Sequence, residues 1–126
     1  MSKADAVDAT TGAGTFDERA AKALTESMTV LDNRTFGDLR DEEFLVVTPT
    51  GSYRVDAIAD TCDCPDALHR APDEGCKHRL RVALARGERP IPGWADRSAI
   101  DEQLGQHLAA SPRIATADGR TEVFEQ

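Results

Sequence analysis

The stretch "TCDCPDALHRAPDEGCKHRL", residues 61 to 80, holds all three cysteines of the chain and two of its three histidines. They fall as Cys62-x-Cys64, eleven intervening residues, then Cys76-x-His78. An odd cysteine count rules out a fully paired disulfide framework. The opening "MSKADAVDATTGAG" has no apolar stretch behind its charge and does not read as a secretory signal. Reduced thiols in a cytoplasmic protein are the expectation, and such thiols bind metal or carry redox chemistry.

Spacing decides between those two uses. A Zn²⁺ ion takes four N or S ligands in a tetrahedron with Zn–S about 2.3 Å, which sets two sulfurs on one ion roughly 3.8 Å apart. Residues i and i+2 of an extended segment point to the same side, so Cys62 and Cys64 can aim at one ion with Asp63 turned outward. In a regular helix, residues two apart lie roughly 200° around the axis. Cys76 is therefore expected on the turn after Gly75, with His78 in the first helical turn and residues 65–75 as a closing loop. Scattered cysteines are commonly small buried hydrophobes, but three within fifteen residues beside Pro, Gly and charges are not scattered. A redox pair at Cys62 and Cys64 is the alternative, and it leaves Cys76 and His78 unexplained. His69 competes for the fourth position from mid-loop, whereas His78 completes the symmetrical spacing. His107 reads as a surface or packing residue.

Cys62-Asp63-Cys64-Pro65-Asp66 with Gly75-Cys76-Lys77-His78 resembles the SWIM zinc finger, whose pattern is CxC, a variable gap and CxH. The flanks "CxCP" and "CKH", the strand entering from "YRVDAIAD" and the helix after "CKHRL" are similar to its ββα arrangement. The likeness covers about residues 43–87. It implies one structural Zn²⁺ on Cys62, Cys64, Cys76 and His78. It also implies a module that binds DNA or RNA, or a protein. SWIM domains accompany ATPases, transposases and ubiquitin ligases, and this chain is too short to carry such a partner. It resembles the small stand-alone SWIM proteins of halophilic archaea.

No catalytic set accompanies the cluster. Four ligands leave no open position for water, and Glu74 is merely a carboxylate in a loop. The His-x-Glu with Pro-Cys-x-x-Cys deaminase pattern is absent, as are Gly-rich phosphate loops and Ser/His/Asp sets. A non-enzyme with no small-molecule substrate is expected.

Charge bears on the partner. The chain carries 23 acidic and 15 basic residues, a net −8, and only Lys3, Lys22 and Lys77 are lysines. An acid-rich, lysine-poor surface resembles proteins that work in molar salt, and then says little about partners. Residues 76–90 depart from it: Lys77, Arg79, Arg81, Arg86 and Arg89 stand against Glu88, a local +4, which leaves −12 on the other 111 residues. On a helix Arg79 and Arg86 nearly stack, forming a candidate phosphate-contacting stripe. The competing reading pairs these arginines with carboxylates of a neighbouring element.

The remaining elements follow from periodicity. Residues 1–14 read as a disordered acidic tail. Thr15 and Glu18 fit a capping box, and Phe16, Ala20, Leu24, Met28 and Leu31 predict a helix over 16–31 within an N-terminal unit, 15–34. Residues 44–48 and 53–58 predict a hairpin around Pro49-Thr50-Gly51-Ser52, with its second strand running straight into Cys62. A helix begins at Lys77 and stops at Gly87. In 88–112, "GERPIPGW" is a connector in which Trp94 is expected to plug the core, with an exposed anchor as the alternative. Ser98 there caps a C-terminal helix with Ile100, Leu104 and Leu108 as its stripe. Asp118-Gly119 between Ile114 and Val123 fits a small hairpin as well as it fits a frayed tail over 113–126. No apolar run approaches the ~18–20 residues that cross a membrane. The fold expected is α+β: a small zinc-stabilised ββα finger with flanking N- and C-terminal helices.

Overall fold

In the computed structural model, which describes residues 18–73 and 75–125, the elements run α1 (Glu18–Thr25), β1 (Thr29–Leu31), β2 (Glu43–Thr48), β3 (Gly51–Asp56), β4 (Thr61–Cys62), α2 (Pro65–His69) and α3 (Lys77–Ala85). A 3₁₀ turn (Arg97–Ala99) and the strands β5 (Arg113–Ala115) and β6 (Thr121–Val123) follow. The expected tail, Thr15 of the capping box and Glu74 lie outside the described residues. This is a mixed α/β fold with a four-stranded antiparallel sheet, β1-β2-β3-β4, and a separate β5-β6 hairpin. Among the described residues no helix is long and apolar enough to cross a membrane.

The β-branched and aromatic residues at 44–48 pair as their pattern demands, with Phe44 opposite Val55 and Thr48 opposite Gly51. The loop is therefore only Pro49-Thr50, tighter than the four residues expected. Period-2 alternation puts Phe44, Val46 and Val55 on one buried face, beside Val30 of β1. The second strand does not run into Cys62. It ends at Asp56, whose carboxylate accepts the amides of Ile58 and Ala59, and Asp60 adopts a positive φ. The chain then returns as β4, with Val55 opposite Cys62.

α3 explains why two cores form one molecule. Its Leu80, Leu84 and Ala85 pack with Ala20, Ala23 and Leu24 of α1 and with Ile91, Ile100, Leu104, Ile114 and Phe124. Its Val82 faces the other way, into the sheet core of Met28, Val30, Phe44, Val46, Val55 and the three cysteines. A helix buried on two sides has no single apolar stripe, so the sequence KHRLRVALA shows little amphipathicity.

Two helices depart from expectation. α1 stops at Thr25, not near residue 31. Thr25, Ser27, Thr29 and Val30 are poor helix formers, and the Thr25 hydroxyl already donates back to the Ala21 carbonyl. Arg81 then takes the freed carbonyls: its guanidinium donates to the carbonyls of Ala23, Glu26 and Met28 and to the Asp101 carboxylate. The expected C-terminal helix is absent as well. Only Arg97–Ala99 is helical, capped by Asp96 rather than started by Ser98. Tertiary bonds outcompete the helical ones here, because the Asp101 amide donates to the Leu24 carbonyl while its carboxylate takes the Met28 amide and Arg81. Gly105 weakens the remaining pattern, and His107 has a positive φ. Ile100 and Leu104 are buried regardless. Trp94 is 54% exposed and plugs no core, while the 113–126 segment contains the hairpin rather than a frayed tail.

Replacing Arg81 by alanine takes the buried cation from the Asp101 carboxylate and a donor from each of three carbonyls; the expected cost is about 3–5 kcal/mol, read from the urea midpoint. Arg120→Ala on the exposed hairpin turn should stay within about 0.5 kcal/mol.

Candidate metal centre

Each member of the cluster is delivered by a different local device. Cys62 ends β4, held by its pairing with Val55. Asp63 is exposed, as its place between two inward residues requires. Its carboxylate accepts the Arg54 amide at 3.0 Å and its own amide donates to the Arg54 carbonyl at 3.3 Å. The knuckle is thus pinned to the edge of β3. Cys64 is the N-cap of α2, in extended conformation, and its sulfur accepts the Ala67 amide at 3.4 Å. Pro65 at the first helical position suits this start. The eleven residues between the pairs are consequently not all loop, since α2 occupies five of them.

Cys76 is the N-cap of α3 and His78 lies in its first turn, the placement that the i,i+2 spacing required. Gly75 before them has φ +99°, which favours glycine, and a Cβ there would crowd the Arg79 side chain at 3.0 Å. The Tyr53 ring stacks on His78 with centroids 4.4 Å apart, and the His78 Nδ1 faces the sulfurs of Cys62 and Cys76. That contact has no signature in the sequence beyond an aromatic at an inward position of β3.

The four ligand atoms all lie within 4.8 Å of one another, and all four residues are buried. Nδ1 of His78 is 3.8 Å from the sulfurs of both Cys62 and Cys76. In a tetrahedron with the usual Zn–S and Zn–N lengths, that separation is about 3.6 Å. The set could hold one metal ion. All three cysteines are free thiols, so no disulfide competes for the sulfurs.

Electrostatics point the same way. The hydrogen bond between Cys62 and Cys76, followed by burial, pushes the Cys62 thiol up. That bond leads the causes that hold Cys76 down at about 3, with His78 and the Arg79 amide adding to it. Burial is the main cause that pushes Cys64 up. Burying several thiolates side by side is costly without a counter-charge. A divalent cation is what would let all three ionise.

The other candidates lie elsewhere. His69 ends α2, exposed, and His107 is exposed too. Arg81 is 0% exposed. Lys77 meets Glu26 at 2.6 Å and Arg79 meets Asp60 at 3.5 Å. Arg86 meets Glu42 at 2.7 Å and Glu88 at 3.1 Å, and lies over the Phe44 ring. Arg89 is half-buried. The five basic residues are thus not a free stripe: Arg81 is interior, and Lys77, Arg79 and Arg86 are tied to carboxylates of other segments.

No family model, curated protein or solved structure matches this chain. The likeness to the SWIM finger therefore rests on the four ligand positions and their flanks.

Native mass spectrometry should find one metal ion per chain, lost in His78→Ala and retained in His69→Ala; the opposite pattern would overturn the ligand assignment. Tyr53→Leu should keep the ion but lose it to a competing chelator at about tenfold lower chelator concentration.

Proposed function

We propose that the cluster holds one structural Zn²⁺ and that the chain is a SWIM-type module acting through interaction, not catalysis. The carrying observation is the buried set of three sulfurs and one imidazole nitrogen within 4.8 Å, drawn from β4, the start of α2 and the start of α3. Zinc suits an S₃N tetrahedron. With four protein donors no position is left for a water or substrate, which supports a structural ion. Zinc on such ligands contributes roughly 10–16 kcal/mol in finger peptides, large beside the 5–15 kcal/mol of net stability typical of a domain.

The partner is a protein rather than a nucleic acid on this reading. Supporting it, Arg81 is interior and the nearby cations already have carboxylate partners, so few remain to displace phosphate counterions. A thiol redox role for Cys62 and Cys64 leaves the imidazole and the third sulfur without a task.

Chelation should abolish the folded circular-dichroism signature and the thermal transition, and zinc should restore both; an unchanged melting temperature would defeat the structural-zinc reading. In salt-titrated binding assays, duplex and single-stranded DNA and RNA should bind wild type and Arg79→Ala/Arg86→Ala equally weakly. Tight binding lost in the double variant would return the stripe to nucleic acid.

A further inference from the structure

Between α1 and the Pro49-Thr50 turn runs a groove of about 680 Å³ with Cys64, His78 and Tyr53 among its lining residues. It is larger than the 410 Å³ groove beside Cys62 and Cys76, and its size falls in the range of ligand sites. Arg19, Lys22, Arg70 and Lys77 line it against Glu18, Glu26 and Asp66. That is one positive charge in excess, on a chain whose net charge is −8. Two of the three lysines of the chain stand here.

The bonds these cations make indicate what they accept. Four ion pairs around the groove each set a cation on a carboxylate: Arg19 on Asp66 at 2.8 Å, Lys77 on Glu26 at 2.6 Å, Lys22 on Glu18 at 3.3 Å and Arg70 on Asp66 at 3.6 Å. The last two are exposed i,i+4 pairs, with Lys22 48% and Arg70 76% exposed, and such pairs contribute little. Exchanging those internal carboxylates for external ones therefore costs little. The concave shape suits an inserted chain, whereas reading a duplex needs a projecting helix or ribbon. A single strand needs free aromatic faces, and Tyr53, the aromatic of this lining, is stacked on His78.

We propose that this groove binds an extended acidic peptide segment of a partner protein, with its carboxylates on Lys22 and Arg70. The inference rests on the metal-held reading, because two ligand residues line the groove. The test is fluorescence anisotropy with the zinc-loaded full chain and a fluorescein-labelled Glu-Leu-Glu-Glu-Leu-Glu peptide. Its all-lysine counterpart and a twelve-nucleotide oligothymidylate serve as competing probes. The acidic peptide should bind saturably and more tightly than either. Lys22→Glu/Arg70→Glu should weaken it at least tenfold with melting temperature and zinc content unchanged, and Arg120→Glu, outside the groove, should not. No saturable binding, equal affinity in the groove variant, or preference for oligothymidylate would overturn the proposal. Circular dichroism on chelation judges the metal and anisotropy on loaded protein judges the groove, so either can fail alone.

Discussion

The guanidinium of Arg81 is the junction on which the rest of the molecule depends. It is wholly interior and donates to the carbonyls of Ala23, Glu26 and Met28 and to the carboxylate of Asp101. Those groups belong to the last turn of α1, the link into β1 and the segment after the 3₁₀ turn. One side chain thus closes a helix end, whose carbonyls would otherwise lack partners, and anchors the segment that replaces a C-terminal helix. Burial pushes the pKa of Arg81 down while Asp101 opposes it. A cation is tolerated there because its two terminal nitrogens meet a carboxylate and three carbonyl dipoles, although its Nε is buried without a partner among the described residues.

From that junction, midway along α3, the helix runs back to the cysteine–histidine cluster at its N-terminus. The two cores share this helix, so the position of Cys76 and His78 is set both by the sheet and by α1 packed against the far side. The cysteines are themselves members of the sheet core, and close apolar packing restricts the movement of a ligand set embedded in it. Asp63 and Tyr53 complete this support, one fixing the backbone of the knuckle and the other the plane of the imidazole.

The legible parts of the sequence were those governed by short-range geometry. The C-x-C and C-x-H spacings, Gly75 and the 44–48 run each specify a conformation within a few residues, and β2, the Cys76 N-cap and the four-residue cluster appear where those rules place them. The misread parts were those governed by long-range bonds. Residues 98–110 carry a helical stripe, and Ile100 and Leu104 do reach the core, yet the Asp101 amide belongs to Leu24. Met28 likewise continues the stripe of α1 and ends in the sheet core. Arg79 and Arg81 look alike as letters two apart on one helix, but they face opposite ways, one toward Asp60 and the other into the interior. No local pattern separates them, because the separating groups lie 19 to 58 residues away.

That difference in range has a kinetic side. Cys62 and His78 are 16 residues apart, and the other ligands fall between them. The junction at Arg81 spans 58 residues to Ala23. Loop closure grows costlier with length, and contacts of low sequence separation form fastest. The chain can therefore bring its three sulfurs and the imidazole together before the longer-range contacts form. The sheet, α1 and the hairpin then assemble on a knuckle that already exists. The order of assembly would run outward from residues 62–78, with the Arg81 junction among the last contacts to form.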